Sequence, residues 1–287
     1  MSPVRVTVIG DSLAHVTARL TVVGSINLDL VARTERFPRP GETVTGATFA
    51  EIPGGKGANQ ALAAARLGAT VALIGCVGDD EFAQLALAEL RAAGVGLAGL
   101  KTATVPTGVA LITVDAAGEN EIVVAPGANA ELRPEDVNLP DYDGVLCQLE
   151  IPLETVEHVA TTAPGDFFLN AAPATAPVPA ADVTIVNRFE HEALAQRDGV
   201  IVVTLGSEGA IMLEDGEEVA RATPPPVVAV DGTGAGDAFT ACLVVSLLEN
   251  RTREEALRRA CIAGALAASR FGAQTSLPTA EEVDALL

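Results

Sequence analysis

PPVVAVDGTGAGDAFTACLVVSLL, residues 225–248, places an apolar run, a glycine-rich turn and an apolar helix end to end. The helix opens with an acid, Asp237. A carboxylate in the first turn of a helix is favoured by the helix dipole, stays ionised at neutral pH and can serve as a base. The N–H groups of Gly234, Ala235 and Gly236 would form a small anion cradle beside it. The plain structural reading is an N-cap aspartate with glycines for a tight turn. A dinucleotide fingerprint fits poorly, because the spacing is GxGxGD and no βα unit with a ribose-binding acid follows.

A second glycine-rich stretch, GGKGANQ at 54–60, leads into an Ala-rich helix expected over Gly57–Leu67. Adjacent glycines let backbone approach a ligand, and the helix start offers free N–H groups. Lys56 adds an ammonium and Asn59 an amide. The loop is not of the Walker A type, since Lys56 is followed by Gly57 rather than Ser or Thr. By itself it reads equally well as a strand-to-helix turn with a solvated lysine. Two such loops, one with Lys and Asn and one ending in Asp, suggest two ligands meeting at one sheet end.

Working outward, short apolar strands recur at Thr21–Gly24, Thr70–Gly75, Gly144–Gln148, Asp166–Asn170, Val183–Val186 and Val200–Leu205. Helical patterns lie between or after them, at Phe82–Ala93, Ala238–Glu249 and Arg253–Ser269. This alternation predicts an α/β fold with a central, mostly parallel sheet covered by helices on both faces. Leu30–Ile52 and Thr107–Ala125 break the rhythm. Both read as half-polar strands, the latter as a hairpin, and they suit a small β-sheet lid. Residues 1–20 stand apart as an N-terminal extension, with 21–287 as one domain; VTVIGDSL in that extension resembles the later TVVGSINLD.

Composition bounds the function. Hydrophobic residues make up 49% and aromatics 3% of 287 residues, so the core must be aliphatic. The formal net charge of −20, with no basic cluster, argues against nucleic acid and anionic membranes as partners. Lys and Arg total 18 and only Lys56 and Lys101 are lysines, leaving 16 arginines. Cys76, Cys147, Cys242 and Cys261 sit singly in apolar stretches, as small buried hydrophobes of a reducing cytoplasm would. The longest apolar run, Ala238–Leu248, is too short for a bilayer.

Nine short motifs in order resemble the PfkB-type carbohydrate kinases, and ribokinases among them, from about Thr21 to the C-terminus. They are VGSINLD (23–29), PGETVTG (40–46), GGKGANQA (54–61), TGVALI (107–112), QLEIPLE (148–154), LNAAPA (169–174), VTLGSEG (203–209), GTGAGDAF (232–239) and RFGAQTSLP (270–278). The resemblance implies ATP-dependent phosphorylation of a free pentose, D-ribose first, giving the 5-phosphate. It implies that Asn27, Asp29, Gly55, Lys56, Gly57, Asn59 and Glu150 hold the sugar, with Asp237 as general base. Asn187 and Glu190, in NRFE, would lie near magnesium and phosphate. Thr204, Gly206, Ser207 and Gly209 would run along the nucleotide, with Cys261 near the adenine and Gly236 at its phosphates. Asp231, Thr233, Ala267, Arg270, Gly272 and Ser276 would enclose a potassium ion, several through carbonyls. A homodimer formed through the lid is expected, because an isolated sheet with one apolar face favours symmetric burial.

Three departures stand out. Gly232 occupies a position where the family usually has Thr, which removes a hydroxyl and loosens the loop. The stretch between Glu190 and Thr204 is short for the family and flanks the nucleotide side. Residues 1–20 have no family counterpart. Alternatives are a nucleoside, deoxyribose or fructose kinase of the same fold, or a sugar-binding protein without turnover. The lid is poor in the aromatics that would cover a base, with Phe37 and Phe49 its notable ones, and a binding-only protein would not need Asp237.

Overall fold

Successive side chains of the central strands feed two separate cores, one on each face of a nine-stranded sheet. Leu146, Phe168 and Val202 point to one core, and their neighbours Cys147, Leu169 and Val203 to the other. A strand puts alternate residues on opposite faces, so a strand buried on both must be apolar throughout. That is why these segments read as continuous hydrophobic runs. The computed structural model describes residues 17–173, 177–194 and 199–287.

The chain enters the sheet with β1 (Arg19–Val23), then forms β2 (Asn27–Arg33) and β3 (Thr48–Gly54) of a second sheet. Helix α1 (Lys56–Arg66) returns it to β4 (Thr70–Gly78), followed by α2 (Glu81–Ala86), α3 (Ala88–Ala92) and β5 (Gly96–Ala103). β6 (Gly108–Val114) and β7 (Asn120–Ala125) complete the small sheet. Next come β8 (Gly144–Gln148), α4 (Leu153–Thr162), β9 (Asp166–Asn170), β10 (Val183–Asn187), α5 (Arg188–Ala193) and β11 (Val200–Thr204). An edge hairpin, β12 (Ala210–Glu214) and β13 (Glu217–Ala222), precedes α6 (Ala235–Leu248), α7 (Arg253–Ala268) and α8 (Ala280–Asp284).

The large sheet runs β13-β12-β11-β10-β9-β8-β1-β4-β5, parallel except at the β11–β12 and β12–β13 pairings. The chain builds outward from β1 in one direction and later from β8 in the other. β1 and β8 are therefore neighbours whose following segments diverge, and the crevice beyond their carboxyl ends is where such sheets bind ligands. The four-stranded sheet β3-β2-β6-β7 stands at that end, as the expected lid.

Several expectations are adjusted. The helix expected over Phe82–Ala93 is two pieces joined at Leu87, and α8 and the edge hairpin β12–β13 were not foreseen. β1 begins at Arg19, before the expected Thr21, and Ala18 is already buried. The shortened stretch after Glu190 lies partly, and the N-terminal extension mostly, outside the described residues. Among the described residues no helix is long and apolar enough to cross a membrane.

Candidate active site

The starts of α1 and α6 meet. Gly57 makes the first possible, since a Cβ there would come 2.5 Å from the carbonyl carbon of Gly24, in the turn after β1. Glu150, just past β8, ties the same corner together. Its Oε2 accepts from Ser25 Oγ at 2.6 Å and from the Lys56 N–H at 3.1 Å, the favoured place for a carboxylate at a helix start.

At α6 the cap is Gly234, at φ 77, and not Asp237. A side chain at that cap would be strained and would come 3.0 Å from the Ala273 carbonyl. Asp237 sits three residues on, its side chain free of capping duty and buried. Asn59 Nδ2 donates to its Oδ2 and Gln60 Nε2 to its Oδ1, both at 2.9 Å. Burial pushes the Asp237 carboxyl up, against the opposing effects of Lys56, Asn59 and Gln60. Burial also works against the Lys56 ammonium, yet Asp237, Glu150 and Glu190 outweigh it and hold Lys56 above its usual value.

A cleft of about 210 Å³ opens here. Lys56, Gly234, Gly236 and Asp237 line one part, and Asn187, Glu190 and Thr204 another. The Ala235 N–H already donates to the Gly232 carbonyl at 3.2 Å, and its neighbours Gly234 and Gly236 line the cleft. Asn187 and Glu190 form a capping box at the start of α5, with Glu190 Oε2 accepting from the Asn187 N–H at 2.8 Å. Both residues line the cleft as well.

The lid contributes Asn27 and Asp29 from β2. Asn27 Oδ1 accepts from Asn129 Nδ2 at 2.7 Å, and Asn129 also brackets the backbone of Ile26. Burial pushes Asp29 up to about 7, with Glu150 and Asp237 adding repulsion. Gly55, at φ 86, caps α1, where a side chain would collide with the Asn27 N–H at 2.8 Å.

Gly206, Ser207 and Gly209, expected to run along the nucleotide, form the turn after β11. Gly209 and Cys261 converge on one carbonyl. A Cβ on Gly209 would lie 2.0 Å from Ala222 O, and Cys261 Sγ donates to the same oxygen at 3.6 Å. Cys261 does not line the 210 Å³ cleft; burial raises its thiol to about 12.

Of the residues expected around a cation, Asp231, Thr233 and Gly272 are joined by hydrogen bonds. Asp231 Oδ1 accepts from Thr233 N and Oγ1 at 2.9 and 2.6 Å, and its Oδ2 accepts from Gly272 N at 3.0 Å. Burial opposes the Asp231 charge, but the Thr233 and Gly272 hydrogen bonds and Arg33 hold it below the usual carboxylate range. The Ala267 carbonyl accepts from the Arg270 N–H, and Ser276 Oγ donates to the Ala273 carbonyl at 2.8 Å. The Arg270 side chain pairs with Glu282, leaving its backbone for any ion. An ionised carboxylate among carbonyl and hydroxyl oxygens is a donor set that suits a hard cation. Arg33, at the far end of β2, lies over the Phe271 ring at 4.4 Å and links lid to cation segment.

Sequence reasoning missed Ser25, Gln60, Asn129, Gln148 and Asn170. All five are polar and buried, and all but Asn129 lie inside the motifs quoted above, which is the signal that could have found them.

A sequence model described as pfkB family carbohydrate kinase matches residues 17–280. The chain belongs to the pfkB family. Ribokinase of Bacillus subtilis is 39% identical to this pfkB kinase over 292 residues, covering 93% of this chain and 99% of that one. The crystal structure of ribokinase from Thermotoga maritima superposes with a TM-score of 0.85 at 33% identity, covering 93% of this chain and 98% of the other. Arabidopsis thaliana ribokinase, solved with ribose and ATP, gives 0.83 at 30% identity, covering 94% and 99%. With these relatives and this fold, the chain is an ATP-dependent carbohydrate kinase.

Proposed function

We propose that the kinase phosphorylates a free pentose, D-ribose, on its primary hydroxyl, with Asp237 as general base. The observation that carries the reading is the buried Asp237 carboxylate at a helix start, with a hydrogen-bond donor on each oxygen, in a cleft lined by Lys56, Gly234 and Gly236. Asn27, Asp29, Asn59 and Glu150 add amides and carboxylates, which read hydroxyls in pairs, whereas a substrate phosphate would call for arginine. The ribose and ATP bound to the Arabidopsis relative support the same pair of substrates.

Asp237 accepts the hydroxyl proton as the oxygen attacks the γ-phosphoryl group. The Gly234 and Gly236 amides and Lys56 stabilise negative charge on the transferring group, so catalysis is mostly positioning and electrostatics. Magnesium is commonly bound by one or two carboxylates together with substrate phosphates, and Glu190, beside Asn187, is the carboxylate that would hold it and so neutralise phosphate charge. Potassium would be held by Asp231, Thr233, Ala267, Arg270, Gly272 and Ser276, adding positive potential beside the glycine loop. The enzyme works in the cytoplasm as a homodimer joined through its lid, whose Phe49, Leu111 and Val123 are exposed.

The test is ADP release with D-ribose, 2-deoxyribose, fructose and adenosine. Ribose should give the highest kcat/KM. A much higher value for a nucleoside, or for a phosphosugar added to the panel, overturns the assignment.

A further inference from the structure

Behind Asp237 stands a set of buried amides that the reaction as described does not use. Gln148 is the last residue of β8 and Asn170 the last of β9, and they are register partners across the sheet. Gln60, in α1 directly after Asn59, lies between them and Asp237. Gln60 and Gln148 are fully buried and Asn170 nearly so.

The hydrogen bonds fix Asn170 first and Gln60 next. Asn170 Nδ2 donates to the Ile185 carbonyl at 3.1 Å. A carbonyl only accepts, so Asn170 must turn its Oδ1 the other way, toward Gln60. Gln60 Nε2 donates to that oxygen at 2.9 Å and, with its second hydrogen, to Asp237 Oδ1 at 2.9 Å. Gln60 Oε1 accepts from Gln148 Nε2 at 2.6 Å. Flipping the Gln60 amide would set oxygen against the oxygens of Asp237 and Asn170, and nitrogen against that of Gln148. Its orientation therefore follows from a backbone carbonyl of β10.

We propose that Gln60 is a positioning residue for Asp237, and that Asn170, anchored on the Ile185 carbonyl, sets which end of its amide faces the carboxylate, with Gln148 bonding the other end. The inference rests on reading Asp237 as the base. An aspartate χ2 is a broad, two-fold torsion, so packing alone leaves the carboxylate plane poorly defined. One donor on each oxygen, from Asn59 and Gln60, defines that plane. Misplacement by about 1 Å can cost ~10²-fold in rate, so the plane matters to the transfer. The charged groups that act on Asp237 are Lys56, Glu150 and Asp29, with Glu190 beyond Lys56. Gln60 is a neutral donor among them and favours the ionised base.

The experiment compares Gln60→Met and Gln148→Met, which keep length and remove hydrogen bonding, with Asp237→Asn. Gln60→Met should lower kcat about 10–100-fold with sugar KM within about threefold, and move the acid limb of kcat/KM up by about one pH unit. Gln148→Met, which does not touch Asp237, should move both in the same direction by less. Thermal unfolding shows whether each variant is folded. In the unsubstituted enzyme, NMR should show both Gln60 side-chain N–H protons protected from exchange with solvent and shifted by Asp237→Asn; unprotected protons that Asp237→Asn leaves unshifted overturn the proposal without any Gln variant. A folded Gln60→Met with unchanged kcat and pH profile, alongside an inactive Asp237→Asn, overturns the positioning role alone. An active Asp237→Asn overturns the base itself, and this inference with it.

Discussion

Asn59 Nδ2 lies 2.9 Å from Asp237 Oδ2, joining residues 178 positions apart in the chain. The first glycine-rich loop thus supplies a direct hydrogen bond to the acid of the second. The bond uses the Asn59 nitrogen and leaves its Oδ1 buried with no partner among the described residues. A buried acceptor left unpaired costs about 1–3 kcal/mol, and a sugar hydroxyl would satisfy it.

Asn59→Ala should therefore raise sugar KM about tenfold and also lower kcat, because it removes both a sugar contact and a donor to the base. Steady-state kinetics checks this; an unchanged KM would remove Asn59 from the sugar site.

Asp29→Asn should stabilise the free enzyme while weakening sugar binding. The folded value of about 7 lies above the ordinary 3.8, so the folded state holds the proton longer than the unfolded chain does. Between those values stability falls as pH rises, and above about 7 the full penalty of the buried charge is present. The gain is on the order of 1–2 kcal/mol near pH 8 and fades near pH 5, where Asp29 is already neutral. Melting temperatures at the two pH values, compared with the unsubstituted protein, test it. An equal shift at both would contradict the assignment.

The central strands were legible because burial on both faces leaves them mostly apolar. Gly144–Gln148 and Asp166–Asn170 are read from the sequence residue for residue. The edge hairpin was not, because Glu214, Glu217, Glu218 and Arg221 interrupt its apolar pattern where strands at the rim meet water. Both glycine-rich loops were legible through their composition. The amides behind them were not, since Gln60 meets Gln148 and Asn170 across 88 and 110 residues. Asp237 as an N-cap was a fair reading of GAGD, and the left-handed Gly234 is what displaced it.

Potassium should raise kcat or nucleotide affinity several-fold over alkali-free buffer. Asp231 bonds Gly272 across the loop junction, and Gly234 lies against Ala273, so an ion there would order the glycine loop. Gly232, with nothing within 4 Å of where its side chain would be, leaves that loop loose enough to benefit. Asp231→Asn should abolish the potassium response. Kinetics of dialysed enzyme that do not change on adding potassium would show that the site is not used.

The lid should pair with that of a second subunit. Leu111 and Val123 are cross-strand neighbours and Phe49 lies on the same face, all exposed at 49%, 65% and 66%. Val123→Glu should give a monomer by light scattering at micromolar concentration, whereas the parent should be a dimer. A monomeric parent contradicts the pairing.

The proposed phosphoryl transfer turns on the carboxylate of Asp237, and single-turnover kinetics of Asp237→Asn tests it most directly. Asparagine keeps the shape and can still accept from Asn59 or Gln60 through its one oxygen, but it cannot take a proton. With sugar and ATP affinities measured separately by calorimetry, the account predicts binding within a few-fold of the parent and phosphoryl transfer slower by ~10²–10⁴-fold or more. Transfer at near-parental rate, with binding intact, would contradict it.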